Sequence, residues 1–320
     1  MILIAPDKYR GTLTAPEAAQ IIDSNIGRPC IILPMADGGE GTARCIARGE
    51  GWIGIENGAY FNQERGEIAI DSANSIGYTN FDAAILPLER TSAPLAVTLN
   101  SLFYKYNPKK IYVAVGGTAT CDGGKGFLEN LDNTVDWKKI LTGLIDVQVP
   151  LLPSIHGGPS ALMFCAQKGF KDNELPIVKD RLESVVRQFG SPASPFDGAG
   201  GGMGYALASV LGVECHSGAG WIVEHADIPW EKVRMIITGE GRFDRQSLEG
   251  KVVSVLLRKA REHGIPLVCM AGCIADDAPT AHCLKTVDLS QYLPEDQLTP
   301  EIAARRLAEA TKQIINEWNF

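Results

Sequence analysis

Long apolar runs, a basic excess and a dense cysteine pattern are all missing from this chain. No stretch approaches the roughly 18 apolar residues of a membrane span, and Met1-Ile2-Leu3-Ile4 is too short for a signal core and lacks a basic leader. Lys and Arg number 30 against 38 Asp and Glu, a formal charge of −8. That balance argues against a nucleic acid or an anionic membrane as the main partner, since both demand a basic face that displaces counterions. A small anionic ligand remains admissible, because local donors override net charge. The eight cysteines include no C-x-x-C pair, which fits a reduced, cytoplasmic setting.

Several standard motifs are missing as well. Neither Gly124-Lys125 nor Gly250-Lys251 has the earlier glycine that a P-loop requires. A G-x-G-x-x-G does occur at Gly49, Gly51 and Gly54, but it follows a helical pattern from Thr42 to Arg48 and leads into a strand, Trp52-Ile53. The dinucleotide fingerprint needs the opposite order, so a dinucleotide-dependent oxidoreductase is disfavoured. No G-x-S-x-G elbow is present. The five histidines lack zinc spacing, and Cys215-His216 with His225 reads as ordinary core or surface residues rather than a metal site. Cys269 and Cys273 read as core packing, on a strand and its following turn. The five tryptophans have no basic runs beside them and make no base-stacking platform.

Glycine is what the chain has in excess: 34 of 320 residues, about 11% against about 7% in an average protein. Of these, 19 fall in five short windows: MADGGEGT (35–42), VGGTATCDGGKG (115–126), HGGPSALMFCAQKG (156–169), FDGAGGGMG (196–204) and ITGEGRFDRQSLEGK (237–251). One such window alone would mark a tight turn. Five windows that mix glycine with single acids, bases and hydroxyls suit phosphate, because bare successive N–H groups form an anion-binding nest.

Short apolar runs precede several windows. Ile111-Tyr-Val-Ala-Val115 runs into Gly116, Met235-Ile-Ile237 into Thr238-Gly239, Leu267-Val-Cys-Met270 into Ala271-Gly272, and Ile2-Leu-Ile4 into Pro6-Asp7. These read as buried strands, with the windows as the loops after them. Loops at strand C-termini are where open α/β sheets bind ligands. Helices are expected between them. Thr14-Ala-Pro-Glu17 is a capping box, Asp172 precedes a helix ending before Gly190, Lys251–His263 is stopped by Gly264, and Thr299-Pro300 opens the C-terminal helix. The segment from about 52 to 88 carries short strands and starts a more β-rich domain. The fold class is therefore α/β with a mainly parallel sheet, and the length suggests about two domains.

Asp37, Glu40, Asp122, Lys125, Lys168, Glu240, Arg242, Asp244 and Lys251 remain as a constellation beside loop glycines. Phosphoryl transfer needs such parts: carboxylates for Mg2+ and a substrate proton, cations for developing charge, and backbone donors for phosphates. From composition alone a kinase is one of several phosphate-handling options.

Taken together the windows resemble the type I glycerate kinase family. The resemblance runs in order through APDKYRGTL (5–13), PMADGGEGT (34–42), VGGTATCDGGKGFL (115–128), GGPSALMFCAQKG (157–169), GAGGGMG (198–204) and IITGEGRFDRQSLEGKV (236–252). It implies ATP- and Mg2+-dependent phosphorylation of D-glycerate to 2-phosphoglycerate. It also implies a Rossmann-like domain built from both chain ends (1–55 and 230–320), an inserted α/β domain (56–229) and an active site in the interdomain cleft. A homodimer stays open.

With that resemblance, Asp37 and Glu40 become candidates for Mg2+ or substrate hydroxyls. Gly116, Gly117 and Thr118 offer a phosphate nest with Asp122 as nearby carboxylate and second metal candidate. Gly200, Gly201 and Gly202 lead into a helix from about Met203 whose dipole favours an anion. Arg242 suits a substrate carboxylate, with Arg10 and Glu240 also expected at the substrate. Asp244 is the candidate general base, and Lys168 or Lys251 the cation for transition-state charge. Each charged residue has a structural ion pair as its alternative reading. The chain departs from the family where Lys8 and Arg10 replace a serine and a lysine, where only Ile145-Asp146-Val-Gln148-Val149 survives of a more acidic strand, and where segments around 60–90 and 130–150 are shortened. Alternatives are a kinase for another small hydroxy acid, formation of 3-phosphoglycerate, or a catalytically weak nucleotide or metabolite binder.

Overall fold

The computed structural model describes residues 1–248, 250–292 and 297–317, so Glu249 of the last glycine window lies outside the described residues. Its strands are β1 (Ile2–Ile4), β2 (Cys30–Ile32), β3 (Trp52–Gly54), β4 (Tyr60–Asn62), β5 (Glu67–Asp71), β6 (Lys110–Ala114), β7 (Leu141–Ile145), β8 (Glu214–Ser217), β9 (Met235–Phe243), β10 (Leu267–Ile274) and β11 (Leu284–Asp288). The chain divides into two compact units, Met1–Asp37 with Ala219–Phe320, and Gly38–Gly218. The sequence expectation placed these divisions near 55 and 229; β3, which falls before residue 55, pairs within the second unit.

Unit 1 carries a five-stranded sheet in the order β11-β10-β9-β1-β2, parallel throughout. A parallel sheet must be covered by its crossover helices, and the sequence supplies them with clear ends. The Ala15–Ile26 helix starts at the expected capping box: Thr14 Oγ1 accepts from Glu17 N, and Glu17 Oε2 accepts from Thr14 N at 2.8 Å. The Val252–His263 helix stops at Gly264. Ile4, Ile22, Ile237, Met270, Leu307 and Ile314 belong to one core beneath these strands and helices.

Unit 2 carries a six-stranded sheet in the order β3-β4-β5-β6-β7-β8. Its first pairs are antiparallel and the last three parallel, which matches the more β-rich start expected after residue 52. Ile68, Ile70, Leu99, Ile111, Val113, Phe127 and Leu141 form its main core. A smaller cluster joins Cys121, Cys165, Val178, Leu182 and Tyr205. No helix among the described residues is long and apolar enough to cross a membrane.

One expectation is corrected by the ladder. The segment after Ile237 was expected to be a loop, yet β9 continues to Phe243, and β10 to Ile274, pairing Arg242 with Cys273 and Phe243 with Ile274. Glycine-rich segments are poor strands locally, but here close packing demands them. A Cβ on Gly239 would overlap Tyr9 Oη, and one on Gly272 would lie 2.5 Å from Gly241 O. Cys273 consequently sits on a strand rather than in a turn.

Candidate functional site

In unit 1 the chemistry gathers just past β1 and β2 and along the second half of β9. The ladder bonds continue past β1: Asp7 N donates to Gly239 O at 2.8 Å and Met35 N to Pro6 O at 2.9 Å. Asp7 is thereby held alongside Glu240, and Asp37 follows two residues after Met35. Burial is the largest cause that raises the Asp7 carboxyl to about 7, with Asp37 adding to it; Lys8 and its N–H, 2.7 Å from Oδ1, pull the other way. Glu240 is likewise raised to about 7, mainly by burial, while the Ser247 hydroxyl and Lys251 oppose the shift and Asp244 and Asp37 add to it. Its Oε1 is buried without a hydrogen-bond partner. Two enclosed acids raised to about 7 on neighbouring segments are suited to accept a substrate proton.

Asp244, the residue expected to be the base, has local partners of its own. Its Oδ2 lies 3.6 Å from Arg242 Nε, and its Oδ1 accepts from Gln246 N at 2.9 Å. Its own N–H donates to Ser247 Oγ at 3.1 Å. Arg242, with 66% of its side chain exposed, is thus oriented by Asp244 with its guanidinium still accessible. Arg10 is exposed on the turn from Tyr9 to Leu13, and that turn is pinned by Tyr9 Oη donating to the buried Met270 O at 2.8 Å. Lys251 occupies the N-cap position of the Val252–His263 helix without a side-chain capping bond.

In unit 2 the corresponding loops follow β5, β6 and β7. Asp71, at the end of β5, accepts Gly41 N at 2.7 Å and Ala43 N at 2.8 Å, fixing the loop that presents the exposed Glu40. Gly116 N donates to Gly38 O. A Cβ on Gly116 would lie 2.6 Å from Asp146 Oδ2 and 2.7 Å from Gly39 Cα, so only glycine lets these three loops meet. Gly117 is exposed and Thr118 buried. Lys168 lies beneath them, its Nζ donating to Thr118 Oγ1 at 3.0 Å and Thr120 O at 2.7 Å.

Gly200, Gly201 and Gly202 pack onto the 115–123 segment: side chains there would meet Val115, Thr120 and Gly123. Their glycine content thus follows from loop-on-loop packing. Asp122 accepts from Ser92 N and Ser92 Oγ at 2.8 Å each, from Gly126 N at 3.2 Å, from Thr91 Oγ1 at 3.4 Å and from Gly124 N at 3.1 Å. Both oxygens are therefore committed to holding the loop and the start of the Lys125–Asn130 helix.

Sequence reasoning did not single out Asp7, Asp71, Ser92 or Ser247 as functional. The signal for Asp7 was present, since it follows a buried strand at the sheet edge where ligands bind.

Among the described residues no group of three His, Cys, Asp or Glu forms a metal cage. Mg2+ needs none, being held by one or two carboxylates and the phosphates of its substrate. Asp37, whose charge reaches both Asp7 and Glu240, suits that donor set.

Acids tuned near neutrality and an exposed arginine in one unit, with a glycine nest over a buried lysine in the other, are the parts of an α/β phosphotransferase. The model of the glycerate kinase family matches residues 2–139 and 136–319. The chain is 27% identical to the glycerate 2-kinase of Escherichia coli K12, over 88% of this chain and 87% of that protein. It is 23% identical to the glycerate kinase of Halalkalibacterium halodurans, over 99% and 98%. A solved structure from Salmonella typhimurium LT2 that carries the provisional name glycerate kinase 2 shares the fold, with TM-score 0.73 and 22% identity over 99% of this chain and 97% of that one. The chain belongs to the glycerate kinase family, and it is a kinase.

Proposed function

We propose that this kinase phosphorylates D-glycerate with Mg·ATP and releases 2-phosphoglycerate. The observation that carries the reading is the pair Asp7 and Glu240, two enclosed carboxyls raised to about 7, one just past β1 and the other on the second half of β9. A group that takes up a proton near neutrality is matched to accepting the proton of a substrate hydroxyl as its oxygen attacks phosphorus. Glu240 is assigned that role, with its unpartnered Oε1 as the accepting atom. Burial, with the charges of Asp244 and Asp37, keeps Glu240 from ionising early.

Arg242 binds the glycerate carboxylate through its planar fork, and Asp244 orients it. Arg10 and Glu40 are assigned to the substrate's remaining polar groups. Asp37 is the carboxylate toward Mg2+, which when bound neutralises charge on the phosphates. Lys251 supplies the cation beside Glu240. Gly116, Gly117 and Thr118 supply backbone and hydroxyl donors for nucleotide phosphate, with Gly200, Gly201 and Gly202 backing that loop. Asp122 organises the loop and does not touch metal.

The test is ATP-dependent turnover of D-glycerate with Mg2+, read by coupled ADP release, followed by NMR of the product. Phosphate on C2 is expected. Phosphate on C3, or turnover of a different hydroxy acid from a panel, would correct the specificity. Ligand-induced thermal shift without any turnover would replace the enzyme reading with a metabolite binder. Asp244→Asn is expected to weaken the KM for glycerate more than kcat, whereas Glu240→Gln lowers kcat; the reverse pattern would restore Asp244 as the base.

A further inference from the structure

Lys168 ends the one-turn Ala166–Lys168 helix and points into unit 2, where the residue is 4% exposed. Two of its three N–H donors go to neutral acceptors, Thr118 Oγ1 and Thr120 O. Among the described residues no carboxylate oxygen lies within ion-pair distance of its Nζ. Burial lowers its pKa, and the charges of Cys121, Asp146, Cys165 and Asp122 act against that shift. A buried ammonium without a contacting counter-ion is destabilising, and a neutral side chain of the same length would fill the slot at least as well. Packing therefore does not account for the charge.

Its two bonds do. Because Thr118 Oγ1 accepts from the ammonium, the Thr118 hydroxyl proton is directed away from Lys168 and is strengthened as a donor; hydrogen bonds in series polarise one another. The bond to Thr120 O polarises the following peptide in the same sense. Both act on the segment that begins Gly116-Gly117-Thr118. The geometry points to Lys168 as a positioning residue that acts through Thr118: it sets the hydroxyl and the loop as a receptor for the phosphate chain of a nucleoside triphosphate, without contacting the phosphoryl group being transferred. This rests on the nucleotide reading above and replaces the direct transition-state role expected for Lys168 from sequence.

Lys168→Met, Thr118→Val, Thr118→Ser and the Lys168→Met/Thr118→Val double variant decide it. The dissociation constants for ATP and for inorganic triphosphate are measured by calorimetry, beside melting temperature, kcat and both KM values. Lys168→Met is expected to keep or raise the melting temperature while weakening both ligands by about 10- to 100-fold, as for other residues that orient a ligand-binding group. Thr118→Val matches that loss, Thr118→Ser restores binding, and the double variant binds no worse than either single one, because one pathway has been cut twice. The KM for glycerate stays unchanged. Unaltered binding by Lys168→Met overturns the inference; so does a double variant whose losses multiply, or a fall in kcat at unaltered ATP affinity. If Lys168→Met does not fold, the Thr118→Val and Thr118→Ser pair reads the same hydroxyl with Lys168 in place, and equal binding by the two overturns it. A wild-type protein that binds neither ligand sinks the nucleotide reading itself, an outcome distinct from variants that bind like wild type.

Discussion

A carboxylate enclosed beside two others destabilises the folded chain whenever it is ionised, and Asp7 is in that position at the end of β1. Its folded pKa, about 7, lies above the ordinary 3.8. The folded state therefore holds the proton more tightly than the unfolded state does. The associated stability is fully present below about pH 4 and is lost as pH rises through 7. Asp7→Asn keeps an oxygen for Lys8 N and removes the charge. It is expected to raise the melting temperature by roughly 5 °C at pH 8 and to leave it unchanged at pH 4, while activity falls. Calorimetric melts across that range check it, and equal shifts at both pH values would exclude this cause. A residue whose removal stabilises the protein and impairs turnover is what a working acid looks like.

Asp122 is the opposite case. Its oxygens accept bonds from two residues near 91 and from two loop amides, so Asp122→Ala strands several buried donors. A loss of about 3 kcal/mol or more in urea unfolding is expected. The sequence showed an acid among glycines and suggested chemistry there; its partners, Thr91 and Ser92, lie in a stretch without any motif. Asp7 was hidden for a related reason, because its neighbours Asp37 and Glu240 meet it only through strand pairing.

Elements were legible where local signals and tertiary demand agree. The capping box at Thr14, the αL stop at Gly264 and the apolar runs of β1, β6 and β10 all form as expected. The second half of β9 was not legible, since Thr-Gly-Glu-Gly-Arg has poor strand propensity and is held only by its ladder to β10. The glycine windows also differ among themselves in a way composition hides. Gly202 has φ +98, and a Cβ there would overlap Gly123; Gly157 has φ +81 with open space around it. Gly157→Ala should therefore cost only the left-handed conformation, about 1 kcal/mol. Gly202→Ala must in addition push the 198–204 loop off the 120–123 segment, and a loss of about 3 kcal/mol or more is expected. Similar losses in chemical denaturation would show that the two loops do not depend on close approach.

For the whole molecule, connectivity makes the two units unequal. Unit 2 is one continuous stretch, Gly38–Gly218, with its own six-stranded sheet and its own cores, which are the requirements for folding alone. Unit 1 needs both chain ends, because β1 lies between β9 and β2 and its ladder joins Ile2–Ile4 to Met235–Ile237. Removing residues 1–37 takes away two adjacent strands, the Ala15–Ile26 helix and the Tyr9 anchor on Met270. It also leaves β9 as an open edge over an exposed core. The fragment 38–218 is accordingly expected to unfold in a single cooperative transition with protected amides at Ile111 and Val113. The fragment 38–320 should retain that transition while the amides of β9 and β10 exchange freely. Hydrogen exchange with mass spectrometry separates the two; protection in β9 without β1 would mean that unit 1 is held together by something other than its sheet.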